Sequence, residues 1–182
     1  MSYDDYQRYL GGDDAGIIAI VNTYRSGLLL YVNSYVKNYS VAEDLVEDTF
    51  FRVMVKKPPI LGRRSFKAWL YTIARHITID YLRKNKYEHI FSSEAIQELA
   101  SIESLEEMYL AEERRICVHR ALSKIKYDYR QALYLSYFED FNNEQIAKIM
   151  GKSKRQVEML LYRGKQALET TLVKEGLLNE NE

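Results

Sequence analysis

The chain has 182 residues and no net charge, and its 47% hydrophobic content can fill the core of one or two small domains. Its single cysteine, Cys117, excludes an internal disulfide and a metal cage of cysteines. Because glycine and proline are scarce and no long stretch alternates between apolar and polar residues, an all-α fold of two small helical domains is predicted.

The N-terminal residues, MSYDDYQRYL, lack the basic start and the apolar run of a signal peptide. The apolar runs farther along, such as LLLYV, are much shorter than a bilayer requires. We therefore expect a cytoplasmic protein that does not insert directly into a membrane.

The first predicted helix begins near Asp13 or Asp14 and runs toward Tyr39, with Gly27 as a weak point within it. Its apolar residues recur every three or four positions, which places them on one face. They are Ile17, Ile20, Val21, Tyr24, Leu28 and Tyr31. This face is predicted to lie in the core of the first domain.

The second predicted helix starts at Ser40, which forms a capping box with Glu43. Acidic residues crowd its first turns, but Glu47 and Asp48 lie too far along for the helix dipole to explain them. Its apolar stripe is Leu45, Val46, Thr49, Phe50, Val53 and Met54. The pair of prolines at 58–59 ends the helix, because proline disfavours helical backbone at the residue before it.

The third predicted helix mixes aromatic rings with cations, in SFKAWLYTIARHITIDYLRKNK at 65–86. Its predicted inward stripe is Phe66, Leu70, Ile73, Ile77 and Tyr81. The residues predicted to project from the opposite side are Lys67, Tyr71, Arg75 and Thr78. From Arg52 to Lys86 the net charge is +9. Rings stack on bases and cations track phosphates, so the stretch indicates a surface for single-stranded nucleic acid; a buried helix with a solvated basic face is the alternative.

An acidic segment follows, with a net charge of −8 from Glu88 to Glu113, and predicts a linker between two domains. His89 and His119 show no metal-ligand spacing with each other or with Cys117. The sequence contains no phosphate-cradling glycine loop and no plausible catalytic pair or triad. We therefore predict no metal, no cofactor and no enzymatic activity.

The second domain is predicted to hold a helix-turn-helix in FNNEQIAKIMGKSKRQVEMLLYRGKQAL. Asn142 with Gln145 and Ser153 with Gln156 form two capping boxes, separated by a glycine that allows a sharp turn. The predicted inward residues are Ile146, Ala147, Ile149, Val157, Leu160, Leu161, Ala167 and Leu168. With a net charge of +5 from Lys148 to Lys165, the second helix is predicted to enter the major groove of DNA.

Two segments, AEDLVEDTFFRV at 42–53 and FKAWLYTIARHITIDYLRK at 66–84, resemble the promoter-melting domain of bacterial sigma factors, most closely the extracytoplasmic-function (ECF) class. The segment LYLSYFEDFNNEQIAKIMGKSKRQVEMLLYRGKQAL resembles the family's second domain, which reads the minus-thirty-five promoter element. Both matches occur in the family's order. The resemblance implies sigma region 2 at 1–87, an acidic linker at 88–112 and sigma region 4 at 113–182.

The resemblance also implies partners and residue roles. The second helix would dock on the clamp helices of core RNA polymerase through Asp44, Leu45, Glu47 and Asp48. The minus-ten element would be melted and held by Lys56, Ile60, Arg63, Arg64, Trp69, Tyr71, Arg75 and His76. The minus-thirty-five element would be read as a duplex by Lys152, Lys154, Arg155, Gln156, Glu158 and Arg163. An anti-sigma factor is a further implied partner beside core polymerase and promoter DNA.

Glu158 and Leu160 depart from the family, which usually has basic residues at these positions; a glutamate can still accept a hydrogen bond from a cytosine amino group. Two other functions stay open at this point. A stand-alone helix-turn-helix regulator would bind its DNA without RNA polymerase. A nucleic-acid enzyme is disfavoured by the missing catalytic residues.

Overall fold

The computed structural model describes residues 2–57, 66–88, 118, 121–174 and 176. Within these ranges lie the helices α1 (Ser2–Leu10), α2 (Ala15–Val36), α3 (Tyr39–Lys56), α4 (Phe66–Glu88), α5 (Tyr127–Tyr137), α6 (Asn143–Met150) and α7 (Lys154–Lys174). A short helical segment at 121–124 precedes α5, and the described residues contain no strand. The predicted all-α fold is confirmed. Of the predicted acidic linker at 88–112, Glu88 is the last residue of α4 and the remainder lies outside the described residues.

The chain divides into two compact units, one holding α1 to α4 and the other holding α5 and α7. In the first unit α2 packs against α1, α3 and α4, and α3 also packs against α4. Ile20, Leu28, Tyr31 and Val32 of α2 are completely buried. The core of this unit therefore forms around α2.

Helix α2 runs without a break through Gly27, the predicted weak point, and ends where Lys37 takes a left-handed conformation. Among the described helices, α2 alone is long and apolar enough to cross a bilayer. The short apolar runs of the sequence did not predict an apolar helix of this length. Its buried residues pack against α1, α3 and α4, whereas Ile18 and Leu30 are exposed. By length and composition alone, one such helix is not a membrane-protein signal.

Helix α1 was not predicted, because its buried face is made of Tyr6 and Tyr9 rather than aliphatic residues. It lies very close to α2 at Gly16. A Cβ there would collide with the backbone oxygen of Asp5 and would stand 2.7 Å from the backbone nitrogen of Tyr9. Glycine at this position therefore permits the contact between the two helices.

Helix α3 starts earlier than predicted, and its cap is Asn38 rather than Ser40. The Val41 N–H donates to the Asn38 side-chain oxygen at 3.2 Å. Glu43 instead accepts a hydrogen bond from Arg25 of α2 at 2.9 Å, so it ties two helices together. The helix ends at Lys56, and Lys57 leaves the helical region just before the two prolines, as predicted.

Helix α4 buries a wider arc than the predicted stripe. Tyr71 and Thr78, which were expected to project away from the core, are completely buried, and Arg75 is half-buried. Phe66 lies in the core as predicted, whereas Ile73 is only half-buried. The difference arises because α4 contacts α2 and α3 together, so a single inward line of residues does not describe its packing.

The second unit has its own core. Leu122, Ile125 and Leu133 are buried at its centre, and Leu161 and Leu168 of α7 pack against them. Helix α7 approaches α5 closely at Gly164, where a Cβ would stand 3.2 Å from the Leu133 side chain. This close contact fixes the orientation of α7 on α5 and so determines which of its faces stays exposed.

Candidate nucleic-acid interface

A cavity of about 290 Å³ opens between the end of α3 and the first half of α4. It is lined by Arg52, Lys56, Trp69, Ile73 and His76. The two cations are four residues apart on α3, and the three α4 residues follow at helical spacing, so each helix presents one face. The cavity combines positive charge with an indole ring and an imidazole.

Three residues predicted for the minus-ten element, Lys56, Trp69 and His76, are brought together in this cavity. Lys56 and His76 are exposed, while Trp69 is half-buried because its ring packs 5.9 Å from the rings of both Tyr6 and Phe66. The position of the indole is therefore set by the core. One side of it remains available to the cavity.

Tyr71 does not belong to this surface. Its ring has no exposed area and lies 5.2 Å from the ring of Tyr31 in the core, so this structure does not offer Tyr71 to DNA. Arg75 does not line the cavity either; its Nε is enclosed and finds no hydrogen-bond partner among the described residues. The predicted residues Ile60, Arg63 and Arg64 lie outside the described residues.

Two cavity residues were missed from the sequence. Arg52 lies one turn before Lys56 on the same face of α3, so the spacing alone could have found it. Ile73 was assigned to the core by its periodicity, and only the packing of α4 shows that it reaches the cavity.

A second exposed surface runs along α3. Asp44, Glu47 and Asp48 are exposed as predicted for residues that dock on a partner. Continuing the same face at helical spacing, Phe51 is 60% exposed and Val55 is 64% exposed. We call these five residues the docking face; it is acidic near the start of α3 and apolar near its end.

Leu45 does not belong to the docking face. Its side chain is only 6% exposed and packs in the core of the first unit, so this structure does not offer Leu45 to RNA polymerase. The two apolar members that sequence reasoning missed, Phe51 and Val55, carry the exposed apolar area instead. Phe51 lies three residues after Asp48, and Val55 lies four residues after Phe51. This helical spacing could have identified both residues from the sequence.

The predicted helix-turn-helix is present. Both capping boxes form: the Asn142 N–H donates to Gln145 at 3.1 Å, and the Ser153 N–H donates to Gln156 at 2.8 Å. Gly151 between the two helices has φ of +64°, a conformation that favours glycine. Ile146 and Ile149 of α6 are completely buried, and so is Val157 of α7, as predicted.

The exposed face of α7 follows from this packing. Arg155, Glu158 and Arg163 are exposed, as a DNA-reading role requires. Met159 and Tyr162 lie on the same face one and two turns after Arg155 and were missed; Tyr162 is 64% exposed.

Two residues of α7 that are predicted to contact DNA, Gln156 and Lys154, also interact with other residues of the protein. The Gln156 side-chain oxygen is occupied by the cap on Ser153. The Lys154 ammonium lies 3.5 Å from the Glu144 carboxylate in an exposed pair, which water screens. Lys152 is half-buried in the turn that precedes α7.

Comparison with known proteins matches two separate segments of the chain to one family. The family model "Sigma-70 region 2" matches residues 20–87, and the model "Sigma-70, region 4" matches residues 115–168. The RNA polymerase sigma factor SigV of Bacillus subtilis (strain 168) is 28% identical over 161 residues, which cover 88% of this chain and 93% of SigV. The ECF RNA polymerase sigma factor SigM of the same organism is 28% identical over 150 residues, which cover 82% and 91%.

Among solved structures, the sigma factor RpoE from Bartonella quintana, in complex with the anti-sigma factor NepR, superposes with a TM-score of 0.67 at 24% identity. The match covers 85% of this chain and 94% of that chain. CnrH in complex with the cytosolic domain of CnrY also gives 0.67, at 19% identity, over 93% and 96%. Both structures share the fold of this chain.

Matches to sigma-70 region 2 and then to sigma-70 region 4, in this order along the chain, place the protein among the initiation factors of RNA polymerase. The chain belongs to the sigma-70 family, and within that family it is an ECF sigma factor. The match to region 2 disfavours a stand-alone helix-turn-helix regulator, because the chain carries a second sigma-70 region besides the one that holds the helix-turn-helix.

Proposed function

We propose that this sigma factor binds core RNA polymerase through the docking face and directs initiation at a restricted set of promoters. In this proposal α7 reads the minus-thirty-five element as a duplex, and the surface around the α3–α4 cavity melts and reads the minus-ten element. The observation that supports it best is that Lys56, Trp69 and His76 line one cavity. The regions would be 1–87 and 113–182, joined by the acidic linker.

The cavity suits an unstacked base. Its volume of about 290 Å³ is roughly ten times the share of one water molecule in the liquid, so it can take a small organic group. Taking a base out of a duplex costs a few kcal/mol, whereas stacking on an aromatic side chain returns about 1–3 kcal/mol per base. Trp69 offers such a ring, held in place by the core. Arg52 and Lys56 add attraction for the phosphates.

The docking face suits a protein partner. Interfaces draw much of their affinity from exposed aromatic residues that become buried, and Phe51 is such a residue. The acidic residues Asp44 and Asp48 beside it would favour a partner with a basic surface and would orient that partner on the docking face. Because RpoE was solved with the anti-sigma factor NepR and CnrH with the cytosolic domain of CnrY, an anti-sigma factor is also proposed as a partner of this chain in the cytoplasm.

Replacing Lys56 with alanine is expected to slow open-complex formation with core polymerase by about tenfold, because a phosphate contact that positions the separated strand is lost. Permanganate footprinting on a duplex promoter measures the rate. A template with a pre-melted bubble should restore the wild-type rate. Lys84→Ala, an exposed cation two turns beyond the cavity, is the control and should behave as wild type. An equal defect of Lys56→Ala on both templates would remove Lys56 from promoter melting.

Arg155 and Arg163 are expected to contact DNA in different ways. Arg155 lies in the first turn of α7, the end that faces base edges, so Arg155→Ala should cost about 1–3 kcal/mol and relax specificity at one position. Arg163→Ala should weaken all sequences alike and lower the salt slope by about one, as a phosphate contact does. Binding of holoenzyme to a set of minus-thirty-five variants at several salt concentrations distinguishes the two. A changed base preference in Arg163→Ala would reverse the assignment.

A further inference from the structure

Helix α1 lies outside both segments matched by the sigma-70 models, yet it packs on α4 and, through Tyr9, contacts the end of α3, the two helices that form the cavity. Its residues Tyr6 and Tyr9 are three positions apart and share one face of the helix. Both are buried, Tyr6 completely. Burial raises the pKa of the Tyr6 phenol, as does the nearby Tyr9, so Tyr6 stays neutral at physiological pH. The two rings therefore act as fixed packing elements.

Tyr9 holds the end of α3. Its hydroxyl donates a hydrogen bond to the backbone carbonyl of Met54 at 3.1 Å. The residue four positions after Met54 is Pro58, which has no amide hydrogen to donate. Tyr9 thus supplies a donor that the chain cannot provide at that position. The Lys57 ammonium lies 4.6 Å from the centre of the same ring, where a cation–π attraction favours it.

Tyr6 holds the start of α4. Its ring centre lies 5.2 Å from that of Phe66, the first residue of α4, and 5.9 Å from that of Trp69. Phe66 also packs against Tyr24 of α2 at 5.9 Å. Trp69 is at once the partner of Tyr6 and a wall of the cavity. A shift of Tyr6 would therefore move the indole on which a base is proposed to stack.

Helix α1 is itself fixed on α2. Gly16 allows the close backbone contact with Asp5 and Tyr9 described above. On the other side of the turn, the Arg8 guanidinium donates two hydrogen bonds to the Asp13 carboxylate, at 3.0 Å and 2.7 Å. These bonds hold the pKa of Asp13 below its usual range, so the carboxylate is charged at neutral pH. The pair is exposed and serves to orient α1 rather than to stabilise the core.

We propose that α1 is a positioning element for promoter melting: Tyr9 fixes where α3 ends, Tyr6 fixes where α4 begins, and together they set the width of the cavity. The proposal rests on the proposed function of the cavity in opening DNA. It assigns Tyr6 and Tyr9 a role through Met54, Lys57 and Trp69, with no contact of their own to DNA.

The test is Tyr9→Phe, which removes the hydroxyl that donates to Met54 and keeps the ring under Lys57. The loss of one hydrogen bond is expected to slow open-complex formation on a duplex promoter by roughly threefold to tenfold. A pre-melted promoter should restore the wild-type rate. Binding to core polymerase should not change. Tyr39→Phe, which alters an exposed tyrosine of the same unit, is the matched control and should match wild type.

Gly16→Ala tests the positioning role of α1 from the α2 side. The added Cβ would clash with the backbone of α1 and displace α1 from α2. It should reproduce the defect on the duplex and its rescue on the pre-melted template. The positioning role is wrong if Tyr9→Phe opens the duplex at the wild-type rate, or if either variant is equally slow on both templates. A wild-type protein that opens no promoter with core polymerase would instead overturn the proposed function, whatever the variants do.

Discussion

Reversing the charge of Asp44 and Asp48 to lysine is expected to weaken the binding of core RNA polymerase by roughly 30-fold to 1000-fold, which corresponds to about 2–4 kcal/mol. Both carboxylates are exposed on the docking face and lie beyond the first turn of α3, where the helix dipole no longer rewards negative charge. The melting temperature should therefore change little, since exposed substitutions alter stability by less than about 0.5 kcal/mol each.

A pull-down or titration with core polymerase, beside a thermal melt, measures both quantities. The matched control reverses Asp14 and Glu169, two exposed acids outside the docking face, and changes the net charge by the same amount. Phe51→Ala should reproduce the loss of affinity through apolar contact alone, because the ring is exposed and its removal leaves no cavity. Unchanged binding by the Asp44 and Asp48 variant would remove these residues from the interface.

Replacing Tyr71 with alanine is expected to lower the free energy of unfolding by about 3–5 kcal/mol, as for other large aromatic residues removed from a core. Tyr71 has no exposed area and its ring packs on Tyr31 of α2. The melting temperature of the first unit should fall by about 10 °C or more. Tyr39→Ala, at a half-exposed site in the same unit, should change the stability by less than about 0.5 kcal/mol.

A Tyr71→Ala protein with a normal thermal melt and a specific defect in promoter opening would contradict the structure. It would show that Tyr71 leaves the core to contact DNA, as the helical periodicity of the sequence had suggested. Calorimetry on the free protein and permanganate footprinting with core polymerase separate the two outcomes.

Local chemistry was predicted well from the sequence. Both capping boxes of the helix-turn-helix form as expected, because each depends on two side chains three residues apart and a glycine between them. The prediction that Ser40 caps α3 was wrong, and the reason also lies in local chemistry. Asn38 and Ser40 are both good caps, and the sequence pattern does not rank two candidates that lie two residues apart.

Longer-range packing was predicted less well. Tyr71 and Thr78 carry polar groups, so periodicity alone placed them outside, whereas contact with two neighbouring helices buries them. Helix α1 escaped prediction because tyrosines supply its buried face. The family resemblance, by contrast, singled out Lys56, Trp69 and His76, which one cavity brings together. Arg52 and Ile73 complete that cavity and required the packing of α3 against α4.

The central claim is that this chain gives core RNA polymerase its promoter specificity. Run-off transcription with and without core enzyme, with sequencing of the start sites and a parallel measurement of duplex binding, tests it most directly. We expect starts at a restricted set of promoters sharing minus-thirty-five and minus-ten elements, and poor duplex binding by the chain alone that core enzyme greatly strengthens. Tight promoter binding by the chain alone, with no gain from core enzyme and no specific starts, would contradict the claim.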